Sequence, residues 1–146
     1  KRLDLIRTIV KYGLTRAIAI SLSFSVFFLF FSESILPAFT DSPEIIRLSV
    51  LYFKIMAFAY PFITIGMTST RIMQGLGVAY PMFILTLFRV VIISASLAWY
   101  FVMILEKPVY YAWVGTLISC IITAGVSLFW LRSILRRSFK SAVEPV

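Results

Sequence analysis

Two cations inside long apolar stretches are the side chains of this sequence with the clearest potential for chemistry. Lys54 lies about nine residues, or roughly 13 Å, into one stretch, and Arg89 lies about eight residues, or roughly 12 Å, into the next. A charge within a membrane-spanning helix is costly and is a functional candidate by default. Either side chain could line a polar cavity and meet an anionic substrate group or a carboxylate elsewhere in the protein. Alternatively, each one snorkels to its nearer membrane surface.

Further candidate residues share a predicted helix with Lys54. Pro61 removes one backbone hydrogen bond from that helix and favours a kink, and Tyr60 and Thr64 lie beside it. Glu33, near the same outer face, could pair with Lys54. The predicted residues of a substrate pathway are therefore Lys54, Tyr60, Pro61, Thr64 and Arg89.

The titratable residues exclude several kinds of site. The chain has no histidine and a single cysteine, Cys120, so Ser-His-Asp catalysis, Cys-His catalysis and multi-cysteine zinc sites are excluded within it. No acidic residue lies deep in an apolar stretch, whereas coupling to H⁺ or Na⁺ usually needs a buried carboxylate. We therefore expect no enzymatic activity, no metal site and no cofactor, and we expect any coupling site to lie outside this chain.

Four apolar stretches must position these residues. Each reaches the roughly 20 residues that a helix needs to cross a ~30 Å hydrocarbon layer. With 61% hydrophobic residues and a mean hydropathy of +0.99, a soluble domain of this composition would aggregate. The prediction is an all-α membrane protein whose four transmembrane helices form most of one lobe of a larger helical bundle. The predicted helices span residues 14–37, 45–74, 81–105 and 109–131.

The flanking charges predict the orientation. Residues 1–13 read as an amphipathic cytoplasmic segment and residues 132–146 as a basic cytoplasmic tail. Lys and Arg crowd the two chain ends and the middle turn, so both termini should be cytoplasmic, in the plasma (inner) membrane. These residues are Lys1, Arg2, Arg7, Lys11, Arg16, Arg71, Arg132, Arg136, Arg137 and Lys140. Because they lie at helix ends and share no long hydrophilic face, the net charge of +8 indicates topology and anionic-lipid contact, not nucleic-acid binding.

The turns and one helix face have recognisable patterns. Asp41 and Glu44 have capping-box spacing at the start of the second helix. Gly75, Gly77 and Pro81 mark a tight reversal before the third helix. In the fourth helix, small residues recur every four positions and should let another helix backbone approach closely. They are Gly115, Ser119, Thr123 and Ser127.

The turn sequence RIMQGLGVAYPM, residues 71–82, resembles the stretch after the tenth helix of multidrug and toxic compound extrusion (MATE) transporters. Gly75, Gly77, Pro81 and Met82 match the family pattern, and Gln74 stands where Arg is common. Three other segments also resemble segments of the family: residues 7–16, residues 36–44 and residues 113–115. In the family a glycine usually precedes the third of these segments, and Tyr111 stands in its place here. The Tyr60-Pro61 pair before the turn is similar to the family as well.

This resemblance implies the last four of twelve helices, in a secondary-active multidrug efflux antiporter coupled to H⁺ or Na⁺. Such a protein exports amphipathic or cationic organic compounds by alternating access. The implied partners are the lipid bilayer, the missing N-terminal helices of the transporter, a small organic substrate and the coupling ion. Some bacterial members carry an acidic residue in the tenth helix. Ile63 lies near that position in this sequence, and no acidic residue is close to it. The alternatives are a lipid-linked oligosaccharide flippase of the same superfamily, whose anionic substrate would suit Lys54 and Arg89, or a non-transporting membrane subunit.

Overall fold

The computed structural model describes residues 2–108 and 110–141, which form helices joined by short turns. Lys1, Val109 and residues 142–146 of the predicted tail lie outside this part. A seven-residue π-helical segment separates α3 from α4, and a five-residue π-helical segment follows α4. The elements are α1 (Arg2–Ile35), a 3₁₀ turn (Leu36–Ala38), α2 (Pro43–Gly75), α3 (Tyr80–Leu87), the first π segment (Phe88–Ser94), α4 (Ala95–Trp99), the second π segment (Tyr100–Ile104) and α5 (Tyr110–Ser141).

Four helical stretches are long and apolar enough to cross a membrane, which confirms the predicted fold class. They are Leu5–Ala38, Pro43–Gly75, Tyr80–Ile104 and Tyr110–Arg137. We refer to Tyr80–Ile104, which contains α3, α4 and both π segments, as the third span. The predicted amphipathic segment is continuous with α1 from Arg2 onward, and the described part of the basic tail continues α5.

Helix α2 lies between α1 and α5 and packs against both, while the third span packs mainly against α5. One core cluster joins Met56 and Ala59 of α2 to Cys120 of α5. A second cluster joins α2, α3 and α5 near one end of the bundle. At this end α1 begins and α5 ends, and we call it the basic end because the Lys and Arg residues concentrate there. We call the other end of the bundle the opposite end.

The small-residue face of α5 is buried, as predicted. Ser119 and Ser127 have no exposed surface. A Cβ atom placed on Gly115 would lie 3.0 Å from the Cβ atom of Leu97 in α4. One turn earlier in the third span, the hydroxyls of Ser94 and Thr116 are 3.0 Å apart. The absence of large side chains on this face therefore allows the third span to approach the backbone of α5 closely.

The turn after α2 is closed by a Schellman motif around Gly77. The Val78 N–H donates to the Met73 carbonyl at 2.9 Å, and the Gly77 N–H donates to the Gln74 carbonyl at 2.9 Å. Gly77 has φ +86°, a left-handed conformation that favours glycine. The sequence prediction of a tight reversal here is confirmed at Gly77 by this geometry.

The other two residues of the reversal have different roles. Gly75 is the last residue of α2, and an added Cβ would meet nothing within 4 Å. Pro81 lies in the first turn of α3, where a missing N–H costs no helical bond, and it is fully buried. Gln74 connects the two helices, because its Nε2 donates to the sulfur of Met82 at 3.1 Å.

The capping box predicted from Asp41 and Glu44 is wrong. Ser42 is the N-cap of α2 and Pro43 the first helical residue, so Glu44 is one position too early to complete the motif. The Ser42 side chain makes no capping hydrogen bond. Instead, the Ser42 N–H donates to Oγ1 of Thr40 at 3.3 Å. Proline is tolerated at the start of this helix because the N–H that it lacks would have no helical partner there.

Candidate substrate pathway

A groove of about 460 Å³ lies between the middle of α1 and the middle of α2 and includes two of the five predicted pathway residues, Tyr60 and Thr64. We call it the α1–α2 groove. Its volume is within the range of small-molecule sites, roughly 300–1,000 Å³. Its lining residues are Ala17, Ile20, Ser21, Phe24, Phe28, Tyr60, Ile63 and Thr64.

Helical spacing explains why these side chains share one groove. On α1, Ala17, Ser21, Phe24 and Phe28 are separated by three or four positions, so they follow one face of the helix. On α2, Tyr60 and Thr64 are four positions apart, which is one helical turn. Sequence reasoning found the α2 wall but missed the α1 wall. The signal for the α1 wall was the serine and phenylalanine spacing, which by itself does not distinguish a groove from a lipid-facing surface.

Phe28 is the central aromatic residue of the groove. Its ring stacks on Phe53, with centroids 5.4 Å apart and planes 7° apart, and lies 6.1 Å from the ring of Tyr60. Phe28 also lines a second cavity of about 230 Å³, which extends toward the opposite end between the same two helices. Aromatic rings offer large apolar faces and attract cations through their negative π surface. The groove therefore combines apolar contact area with a surface suited to an organic cation.

Pro61 lies at the level of the groove, within a helix that continues on both sides of it. Because proline has no N–H, the carbonyl of Ala57 has no helical partner at this turn. Ala57 is 1% exposed, so this carbonyl belongs to a packed part of α2. Membrane helices tolerate such a position when neighbouring groups satisfy the freed backbone group.

Lys54 pairs with Glu33, the contact that the sequence suggested. Nζ of Lys54 donates to Oε1 of Glu33 at 2.7 Å, which joins α2 to α1. Glu33 lies two residues before the end of α1, so the ammonium is directed toward the opposite end of the bundle. The side chains are 44% and 66% exposed respectively, and neither lines the α1–α2 groove.

Arg89 lies on a different face of the bundle from the groove. Its Nη1 donates to Sγ of the buried Cys120 at 3.8 Å, across to α5. Arg89 is nine residues from the start of the third span and Cys120 ten residues from the start of α5, and these two helices start at opposite ends of the bundle. At 1.5 Å per residue each residue is about 14–15 Å from its helix start, so the guanidinium reaches across to α5 near the middle of the bundle.

Arg89 belongs to the first π segment, which sequence reasoning also missed. π-helical turns are rare and are frequent at functional sites. The segment contains Val90, Val91, Ile92 and Ile93, and β-branched residues have reduced helix propensity. That run was the available signal, but it is also ordinary for a membrane-spanning helix.

The residues that form the α1–α2 groove and the Lys54–Glu33 pair, together with Arg89, match a known protein family. Comparison with protein families matches residues 1–100 to the MatE family, more than half of the chain. The chain belongs to the MatE family. The MatE match contains α1, α2 and most of the third span, so the α1–α2 groove, the Lys54–Glu33 pair and Arg89 all fall within it. Comparison with curated proteins and with solved structures finds no match.

Membership of the MatE family and the four apolar helices together identify a multi-pass membrane protein of the MATE transporter superfamily. Among residues 2–108 and 110–141, no group of three His, Cys, Asp or Glu side chains could hold a metal ion. The polar groups that this MatE chain presents around the groove are hydroxyls, from Ser21, Tyr60 and Thr64. Tyr60, Pro61 and Thr64 are thus brought together, whereas Lys54 and Arg89 are separate from them and from each other.

Proposed function

We propose that this chain forms one wall of the substrate pathway in a secondary-active efflux antiporter for amphipathic, cationic organic compounds. The observation that carries the proposal is the α1–α2 groove, which lies in the MatE-matching part of the chain. Substrate leaves by alternating access, in exchange for H⁺ or Na⁺ that binds outside this chain. The role needs no covalent chemistry from the chain, which acts as a non-enzymatic part of the transporter.

The absence of charge in the groove lining supports a cationic substrate class. The lining holds aliphatic, aromatic and hydroxyl side chains and neither lysine nor arginine. A flat organic cation meets aromatic faces there without a nearby positive charge that repels it. Uncharged apolar walls also discriminate weakly between substrates that differ by a few carbon atoms, which suits export of many compounds.

Arg89 supports the second candidate function, a flippase for a lipid-linked oligosaccharide. A cation held at mid-depth suits an anionic lipid phosphate, and its protein contact, the sulfur of Cys120, does not neutralise it. We rank this function second because Arg89 lies away from the α1–α2 groove. A non-transporting membrane subunit is the third possibility, and in that case substitutions at either place leave all transport unchanged.

The positive-inside rule supports an orientation with both termini in the cytoplasm and the Lys54–Glu33 pair toward the outside of the plasma (inner) membrane. Cysteines placed singly at position 47 or 107 should then react with an impermeant maleimide added to intact cells. A cysteine at position 136 should react after the membrane is opened. The reverse labelling pattern contradicts this orientation.

Efflux of ethidium from cells that express the full-length protein tests the proposed substrate class. Phe28→Ala removes the ring that stacks on Phe53, and we expect roughly thirtyfold weaker apparent affinity, because a cation–π contact and an aromatic contact contribute about 1 kcal/mol each. Phe30→Ala is the matched control, since Phe30 is on the same helix, is 76% exposed and does not line the groove.

Equal effects of the two substitutions, with equal protein levels, contradict a substrate site in the groove. Arg89→Gln separates the two transport functions. Under the efflux proposal it leaves ethidium export largely intact. Loss of anionic-lipid flipping with unchanged ethidium export decides for the flippase.

A further inference from the structure

A second groove, of about 280 Å³, lies between α1 and α5 at the basic end of the bundle, and we call it the α1–α5 groove. Helices α1 and α5 both pack against α2, and their side chains line this groove from its two sides. The floor is aliphatic and the rim carries three cations, Arg7, Lys11 and Arg132. The aliphatic residues are Val10, Leu14, Ile18, Leu128, Leu131 and Leu135.

Polarity changes along this groove in the direction of the membrane normal. On α1, the cations Arg7 and Lys11 come before Leu14 and Ile18, so on this wall the charged rim is nearer the basic end. On α5, Leu128 and Leu131 lie inward of Arg132, and Leu135 is one turn beyond it. From position 7 to position 18 the groove is about 16 Å long at 1.5 Å per residue. One leaflet of a ~30 Å hydrocarbon layer is about 15 Å deep. The groove thus matches a lipid headgroup followed by an acyl chain.

The charge around the rim favours an anionic occupant. Two further cavities adjoin the groove and add basic side chains at the same end, Arg16 beside Lys11 and Arg136 and Arg137 beside Arg132. Glu33, Asp41, Glu44 and Glu106 lie at the opposite end, whereas Asp4 lies in the first turn of α1 at the basic end. The basic residues at that end outnumber this acid.

We propose that the α1–α5 groove is a binding site for one anionic phospholipid of the leaflet at the basic end. Lys11 and Arg132, from the two walls, bind the headgroup phosphate, and one acyl chain lies along the leucine floor. The site is separate from the α1–α2 groove and does not depend on which compound the protein transports. The lipid would add contacts between α1 and α5 along this groove.

Native mass spectrometry of the full-length protein in detergent, titrated with dioleoylphosphatidylglycerol or dioleoylphosphatidylcholine, tests the proposal. We expect the first bound phosphatidylglycerol to be preferred. Lys11→Gln with Arg132→Gln should weaken its binding about thirtyfold, or about fivefold for each cation, by the ~1 kcal/mol per basic residue near an anionic lipid surface. The matched control is Arg47→Gln with Lys107→Gln, which removes two exposed cations at the opposite end and should change binding less than twofold.

A second pair of variants tests the groove itself without a change in charge. Leu128→Trp fills the aliphatic floor and should reduce phosphatidylglycerol binding at least fivefold, whereas Val126→Trp, at an exposed position of the same helix, should not. The proposal is overturned if the two double charge variants lose phosphatidylglycerol binding equally, or if Leu128→Trp binds the lipid fully. Either result indicates a general attraction between the basic protein and anionic lipid, without a specific site. Displacement of the lipid by inorganic phosphate overturns it in favour of a small-anion site. No preference for phosphatidylglycerol, together with unfolding of Leu128→Trp, overturns it in favour of a protein segment that fills the groove.

Discussion

The contact between Gly115 and α4 allows a matched test of the helix packing. Gly115→Ala adds a methyl group 3.0 Å from the Cβ atom of Leu97, where two carbon atoms in contact prefer about 3.5–4.0 Å. Gly125 is in the same helix, and a Cβ atom there meets nothing within 4 Å. Gly125→Ala is therefore the same chemical change without the contact.

The difference between the two variants isolates the contact. Alanine gains about 1 kcal/mol over glycine in a helix interior, and this gain is common to both substitutions. Overpacking at Gly115 should cost about 1–3 kcal/mol, since the neighbouring atoms are a backbone and its attached Cβ and not the end of a flexible side chain. Gly115→Ala should thus be about 1–3 kcal/mol less stable than Gly125→Ala. This difference is roughly 2–12 °C in melting temperature for a chain of about 150 residues, and it is smaller for a longer protein.

The assay is thermal unfolding of the purified full-length protein in detergent, followed by tryptophan fluorescence. A double-mutant cycle between Gly115 and Leu97 tests whether the Cβ atom of Leu97 causes the loss of stability. In the Gly115→Ala background, Leu97→Ala keeps the Cβ atom and should retain the penalty, whereas Leu97→Gly removes that atom and should relieve part of it. Equal melting temperatures of the Gly115→Ala and Gly125→Ala variants would refute the close approach of α4 to α5.

The remaining predictions concern the turn after α2 and the ion pair between α2 and α1. Gly77→Ala should destabilise the protein by about 1–2 kcal/mol because Gly77 has φ +86°, whereas Gly75→Ala, in open space, should be neutral or slightly stabilising. If thermal unfolding shows equal effects, the Schellman turn is not formed. For the ion pair, Glu33→Gln and Lys54→Gln should each lower the melting temperature slightly, and the double variant should be no worse than either single variant. Additive losses would mean that the two groups act independently.

Much of the fold follows from local properties of the sequence. A stretch of twenty apolar residues must be helical in a bilayer, because no water is available to satisfy its backbone groups. The small-residue face of α5 also follows from local spacing, since a helix face of Gly115, Ser119 and their neighbours leaves room for another backbone. Gly77 is equally local, because a left-handed residue after a helix needs glycine.

The substrate-pathway residues needed more than local information. Tyr60 and Thr64 share the α1–α2 groove only because α1 places Phe28 and Ser21 opposite them. Lys54 and Arg89 look alike in sequence, as single cations within apolar helices. In the structure one pairs with a carboxylate toward the opposite end, and the other reaches sideways to Cys120 at mid-depth.

The sequence by itself determined that this is a four-span helical membrane protein, and the turn between the second and third spans pointed to its family. Hydrophobicity, small-residue spacing and turn chemistry act over a few neighbouring residues, so they can be read along one chain. Only the tertiary structure decided what Arg89 contacts, where the third span becomes π-helical, and which helix faces enclose the two grooves. Those features depend on how α1, α5 and the third span are arranged around α2, and helices distant in sequence must pack before that arrangement exists.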